Sequence, residues 1–162
     1  MDYIVPQRNR YLKDAGEAFP IDITNKKIII PGTGNDPVDV TAARDLARAL
    51  ALLVSKPSWE PYTYISGEKT TWNELAKLVQ QQYVEMKDVH HTGLGHILHT
   101  IRTSNDEAEV RVSHYKLAVP LRACSLDPKK VEAHRQKFFS GMAFRKPHEL
   151  IEEVRQNPNG IV

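Results

Sequence analysis

Between Lys27 and Tyr83 short β-branched runs alternate with helical stretches, and that alternation constrains the fold more than any other feature of the chain. Lys27 to Ile30 is a β-branched run closed by Pro31 and Gly32, which marks a strand. Val38 and Val40 then point to one side and Asp39 to the other, so a second short strand follows. Gly32 and Gly34 lie between Pro31 and Pro37 and read as the turn joining these strands; a lone GxG is weak evidence for a nucleotide site. Thr41 is expected to cap a helix in which Ala43, Leu46, Ala47, Leu50, Leu53 and Val54 share one face. Pro57 forces an exit, and Pro61 to Ile65 alternates aromatic and β-branched residues as a strand ending at Ser66-Gly67. Thr71-Trp72-Asn73-Glu74 fits a capping box, with Trp72, Leu75, Ala76, Val79 and Tyr83 forming the apolar face of the helix behind it. Strands interleaved with amphipathic helices define an α/β chain.

The flanks are less regular. Met1 to Ala18 is broken by Pro6 and reads as a short helix or an irregular opening segment, followed by an extended piece at Phe19 to Ile23. Val89 starts a further strand, and Leu94 to Ile101 a helix after Gly93 and Gly95. Glu107 to Leu117 fits both the strand and the helix period; the possible N-caps at Ser104-Asn105-Asp106 favour helix. Asp127-Pro128 combines a cap with proline at the first helical position. Pro147 opens a last helix, through Leu150, Ile151 and Val154 to a stop at Asn157-Pro158.

With 162 residues the chain suits one domain, or one lobe of a larger one. Its formal charge of +2 is small and the basic residues are interleaved with acidic ones, which argues against a nucleic-acid surface. No apolar run approaches the ~20 residues of a membrane span, and Met1 to Arg10 lacks a secretory apolar region. With a single cysteine, Cys124, no intrachain disulfide can form. A cytoplasmic protein is the expectation.

Other constellations have bland readings. His90, His91, His96 and His99 cluster in sequence, but adjacent histidines on a strand point apart and no cysteine accompanies them; solvated imidazoles are expected rather than zinc. Trp59, Tyr62, Tyr64 and Trp72 are expected to pack in the core or along an edge, with a contribution to a hydrophobic cleft as the alternative. Lys129, Lys130, Arg135 and Lys137 make a basic helix face, expected to be solvated. Cys124 has no neighbouring histidine and reads as a buried small residue.

The run IIIPGTGNDPVDVTAARDLARALALLV, followed by YTYISGEKTTWNELAKLV, resembles the C-terminal half of fungal NmrA-like proteins, atypical members of the short-chain dehydrogenase/reductase superfamily. Gly32, Gly34, Pro37, Val38, Thr41, Arg44, Asp45, Ala47, Arg48 and Ala49 match the first motif, and Tyr64, Gly67, Thr71, Asn73 and Glu74 the second. These motifs cover about a third of the chain, and residues 1–162 would then be a single NmrA-like C-terminal domain.

The resemblance implies the substrate-binding lobe of a Rossmann-like reductase, lacking the N-terminal dinucleotide-binding βαβ unit. At family level the cofactor is NADP. The opening MDYIVPQRNRYLKDAG carries no glycine turn, so this chain alone is expected to hold NAD(P) weakly or not at all, and no catalytic, cofactor-binding or metal residue is assigned within it. Asp45 is tempting as a catalytic acid but belongs in a helix first turn, where a carboxylate is favoured by the macrodipole. The stretch matching Met1, Asp2 and Tyr3 would follow a central strand whose carboxyl end faces the nicotinamide, so Met1 and Tyr3 are expected to line a substrate pocket. Fungal relatives of this kind act in secondary metabolism, which implies a small carbonyl or polyketide-type substrate. A non-catalytic NmrA-like module binding a protein partner, or a truncated remnant, are the other readings.

Overall fold

The computed structural model describes residues 1–162. Its architecture is α/β, with two small sheets and six helices. Strands β1 (Ile21–Asp22), β2 (Lys27–Pro31), β3 (Pro37–Val40), β4 (Glu68–Thr71) and β5 (Val89–Thr92) are all short. The first sheet has the order β1-β2-β5: β2 runs antiparallel to β1 and parallel to β5, with Ile28 opposite Val89 and Pro31 opposite Thr92. The second is an antiparallel pair of β3 and β4, in register from Pro37 opposite Thr71 to Val40 opposite Glu68.

The helices are α1 (Ala43–Val54), α2 (Trp72–Gln82), α3 (Leu94–Thr103), α4 (Glu107–Ala118), α5 (Pro128–Phe138) and α6 (Pro147–Gln156). The opening segment is a series of 3-10 turns at Asp2–Ile4, Gln7–Asn9 and Gly16–Ala18, as Pro6 and Gly16 (φ +55°) dictate. The capping box of α2 is formed in full: Thr71 Oγ1 accepts from Glu74 N at 3.2 Å while Glu74 Oε2 accepts from Thr71 N at 3.0 Å. Residues 107–118 are helical, with Asp106 accepting from Ala108 N and Glu109 N.

Ile28 and Ile30 of β2 are fully buried and Ile29 faces the other way, the two-residue period of a strand. The main core gathers these isoleucines with Val38, Val40, Leu75, Val79 and Leu150, and the opening segment closes it with Ile4 and Val5. Each such side chain contributes about 1.5–3 kcal/mol on leaving water. A smaller core packs Ala49 of α1 against Phe138, Phe139 and Phe144.

Three expectations are corrected, and the side that α1 turns to solvent is found alongside them. Thr41 does not cap α1: its hydroxyl accepts from Gly67 N at 3.1 Å, and the free amide of Ala43 is met by Asp2 Oδ1 at 3.0 Å, from forty-one residues away. Pro61 to Ile65 forms no strand: β3 takes its partner from residues 68–71, and the Tyr64 amide bonds His134 Nδ1 at 2.8 Å. The apolar face of α1 is turned outward, with Leu46 40%, Leu50 49% and Val54 68% exposed; what the helix buries is Asp45 and Ala49. Of the four aromatics, Trp72 is buried and Tyr64 half-buried, but Trp59 and Tyr62 are exposed, the Trp59 indole donating to Leu53 O at the end of α1.

Candidate functional site

The two motifs behind the resemblance turn out to be wired to each other. Gly32 and Gly34 both hold positive φ (69° and 76°) in the turn between β2 and β3. Asn73 donates to Thr33 O at 3.0 Å and to Asn35 Oδ1 at 2.7 Å, and its own amide donates to Gly34 O at 3.1 Å. A Cβ on Gly34 would fall 2.8 Å from Asn73 Cγ. The space above the turn is therefore occupied by the Asn73 side chain. A Cβ on Gly67 would likewise fall 2.9 Å from Val40 O, just before β4 begins.

Asp45 is fully buried and accepts from Arg145 N at 2.7 Å and Arg145 Nε at 3.1 Å, and Arg145 Nη1 continues to Glu153 at 2.7 Å. Its carboxylate joins α1 to the segment leading into α6, a structural duty. His134 is equally settled: Nδ1 accepts the Tyr64 amide, so Nε2 carries the proton and donates to Glu60 Oε2 at 3.1 Å. An imidazole engaged on both nitrogens has no free base position. Lys137 also binds Glu60, and with His134 it holds that carboxyl below its usual range. Arg135 departs from the solvated face expected of α5: it donates to Ser66 O at 2.7 Å and lies over the Phe144 ring. Burial pushes the Cys124 thiol up, the opposite of an activated nucleophile.

His90 and His91 are exposed on β5, and His91 Nδ1 donates to Gly32 O at 2.9 Å. No group of three or more histidine, cysteine or acidic side chains is placed to hold a metal ion. β5 enters α3 through Gly93-Leu94-Gly95, and α3 lacks a side-chain cap. This junction has the strand–glycine–helix order, but not the third glycine that seats the helix against its strand beneath a pyrophosphate. Asn73 thus occupies the Gly32–Gly34 turn, and Asp2 meets the first free amide of α1.

What the fold does build is a cleft along its opening segment. Arg10 lies over the Tyr3 ring at 4.7 Å, Tyr3 meets Phe19 at 4.9 Å, and Phe19 meets Trp72 edge-on at 5.3 Å. Beside this stack lies a cavity of about 100 Å³ lined by Tyr3, Arg10, Asp14, Phe19, Asp22 and Asn25. It shares Phe19, Asp22 and Asn25 with a second of about 250 Å³, which reaches Lys27 and Ile29. Glu17 and Ile29 in turn border a third of about 490 Å³, walled by His96 and Thr100 of α3 and Glu109, Val112 and Lys116 of α4. The Lys116–Glu17 pair pins α4 to the opening segment across this chain of cavities and holds the Glu17 carboxyl below its usual range.

The structure thus places Tyr3 on the cleft. Met1 is buried in the main core, its amine donating to Thr41 O at 3.0 Å, and is absent from the lining of these three cavities. Arg10, Asp22 and Asn25 escaped sequence reasoning. Asp22-Ile-Thr-Asn25 does carry a turn signal, since Asp22 Oδ1 accepts from Asn25 N at 3.0 Å between β1 and β2. Nothing local marks Arg10, which reads as one more solvated arginine.

No family model matches the sequence. Among curated proteins it is 44% identical over 164 aligned residues to oxidoreductase swnR of Metarhizium robertsii. It is 40% identical over 163 to oxidoreductase swnR of Arthroderma benhamiae. Each alignment takes in 99% of this chain but 53% of the relative, so the chain spans about half the length of the curated relatives it matches.

Proposed function

We propose that this chain is the C-terminal, substrate-binding lobe of an NmrA-type, NAD(P)-dependent oxidoreductase acting on a small carbonyl compound of fungal secondary metabolism. The observation that carries the reading is the aromatic-lined cleft along the opening segment, in a chain whose relatives are named oxidoreductases. The motif residues Gly34, Asn73, Asp45 and Thr71 supply scaffold in this reading, and Tyr3 supplies contact with the substrate. NADP would be held by the remainder of a longer protein, which supplies the hydride; the residues described here bind and orient the substrate.

Two measurements test this. In calorimetry the isolated chain is expected to show no micromolar affinity for NADPH, and such affinity would overturn the division of labour. Joined to the remaining half of the Metarhizium robertsii relative, the chain is expected to support NADPH-dependent carbonyl reduction, with Tyr3→Ala raising KM and Tyr3→Phe doing so less. If both variants keep the parent turnover and KM, the opening segment is not part of the site.

A further inference from the structure

Helix α1 is turned inside out. Leu46, Leu50 and Val54 recur every four residues and are exposed, as are Ala47 and Ala51 beside them, while the inward side carries Asp45 and Ala49. A helix normally sets such a row against a core, and a contiguous apolar patch left on a surface marks a place of contact.

A second, independent feature lies at the end of the same helix. Residues 57–66 neither give nor take a hydrogen bond from main chain to main chain. Side chains answer two of these groups: His134 Nδ1 takes the Tyr64 amide at 2.8 Å, and Arg135 donates to Ser66 O at 2.7 Å. Yet the run Tyr62-Thr63-Tyr64-Ile65 has the aromatic and β-branched composition of a strand. Successive amides of a strand point to opposite edges, so with the Tyr64 amide turned to His134 those of Thr63 and Ile65 serve the other edge. The two features are continuous. Trp59 Nε1 donates to Leu53 O in the last turn of α1 at 2.9 Å, and Leu53 and Ile65 pack against the same small core. Trp59 and Tyr62 are exposed on this surface.

We propose that α1 and residues 59–65 form the docking surface for the half of a longer polypeptide that this chain does not match in its relatives. That half lays a β-strand along Tyr62 to Ile65 and covers Leu46, Leu50 and Val54. The relatives carry nearly as much chain again outside the part matched here, and a body of that size needs a permanent seat. Unpaired main chain beside an uncharged helix row offers what a divided core leaves, ladder bonds together with apolar area. The proposal rests on reading the chain as one lobe of a longer oxidoreductase.

Amide hydrogen exchange reads this surface without cofactor or turnover. In the chain alone the Thr63 and Ile65 amides are expected to exchange rapidly at every protein concentration. In the chain joined to the unmatched half of the Metarhizium robertsii relative they are expected to slow by about a hundredfold or more. Leu46→Glu with Leu50→Glu is expected to leave the melting of the chain alone little changed, yet to cancel that protection in the joined protein. Equal exchange in the two forms overturns the proposal, and so does protection that survives the double substitution. Protection that grows in the chain alone as its concentration rises also overturns it, because the surface is then a contact between copies. The intact relative is the second arm should the joined protein misfold: rapid exchange in its segment aligned with residues 61–65 is equally fatal. The Tyr3 and NADPH measurements read the cleft and the cofactor, so they can succeed where this one fails.

Discussion

A carboxylate as deeply buried as Asp45 needs its oxygens answered by donors, and here Arg145 supplies both an amide and a guanidinium. The pair is short of full burial, since Arg145 is 20% exposed, so its loss falls toward the lower end of the cost of breaking a buried ion pair. Asp45→Ala is expected to lower unfolding free energy by about 2–3 kcal/mol, read from the urea midpoint at unchanged slope. Asp45→Asn keeps one acceptor and is expected to cost less. A residue serving catalysis alone would leave the midpoint where it was. The same contrast explains why the opening residues were partly legible. Tyr3 is aromatic and its neighbourhood could be guessed, whereas Asp2 reaching Ala43 is a contact between parts of the chain that share no local pattern.

The elements themselves divide along the same line. Strands β2 and β3 and helix α2 could be read from alternation, a glycine-proline turn and a capping box, because each signal is complete within about ten residues. The start of α5 was as plain, with Asp127 accepting from Lys129 N at 2.8 Å and proline at its first position. The pairing of β3 with residues 68–71 rather than 61–65 was hidden, since register is settled by Thr41, Gly67 and Asp39 acting together. Asp39 accepts from Ser66 Oγ at 2.6 Å and Leu126 N at 2.7 Å. Gly34→Ala tests the join between motif and helix: positive φ and the approach to Asn73 both penalise a methyl group. A loss of about 1–3 kcal/mol in chemical unfolding is expected. A second test concerns α4 and the opening segment. Glu17 has a folded-state pKa held below its ordinary 4.5 by Lys116, so its contribution is present above that value and lost as pH falls through the folded pKa. Melting temperature should fall on acidification below about pH 4.5, and Glu17→Gln should flatten part of that slope.

For the molecule as a whole, the outward apolar face of α1 is the feature that composition alone could not place. Helical spacing said that Leu46, Leu50 and Val54 share a side, and only the burial of Asp45 and Ala49 opposite them decides that this side faces out. Leu46→Glu with Leu50→Glu is therefore expected to change stability by no more than about 0.5–1 kcal/mol in urea titrations. A collapse of the fold would mean that the stripe is packed after all. Long-range ties are common elsewhere: Asn9 Nδ2 donates to Pro158 O and Gly160 O across 149 and 151 positions, and Arg145 meets Asp45 across 100. The parallel pairing of β2 with β5 gives such distances a meaning in time. β2 ends at Pro31 and its neighbour begins at Val89, so roughly 60 residues must be made between them. At the ~5–20 residues per second of synthesis, that is a wait of about 3–12 seconds. Throughout it, three isoleucines in a row have one ladder edge bare on a nascent chain. The ribosome, before any substrate, sets the first demand on this sheet.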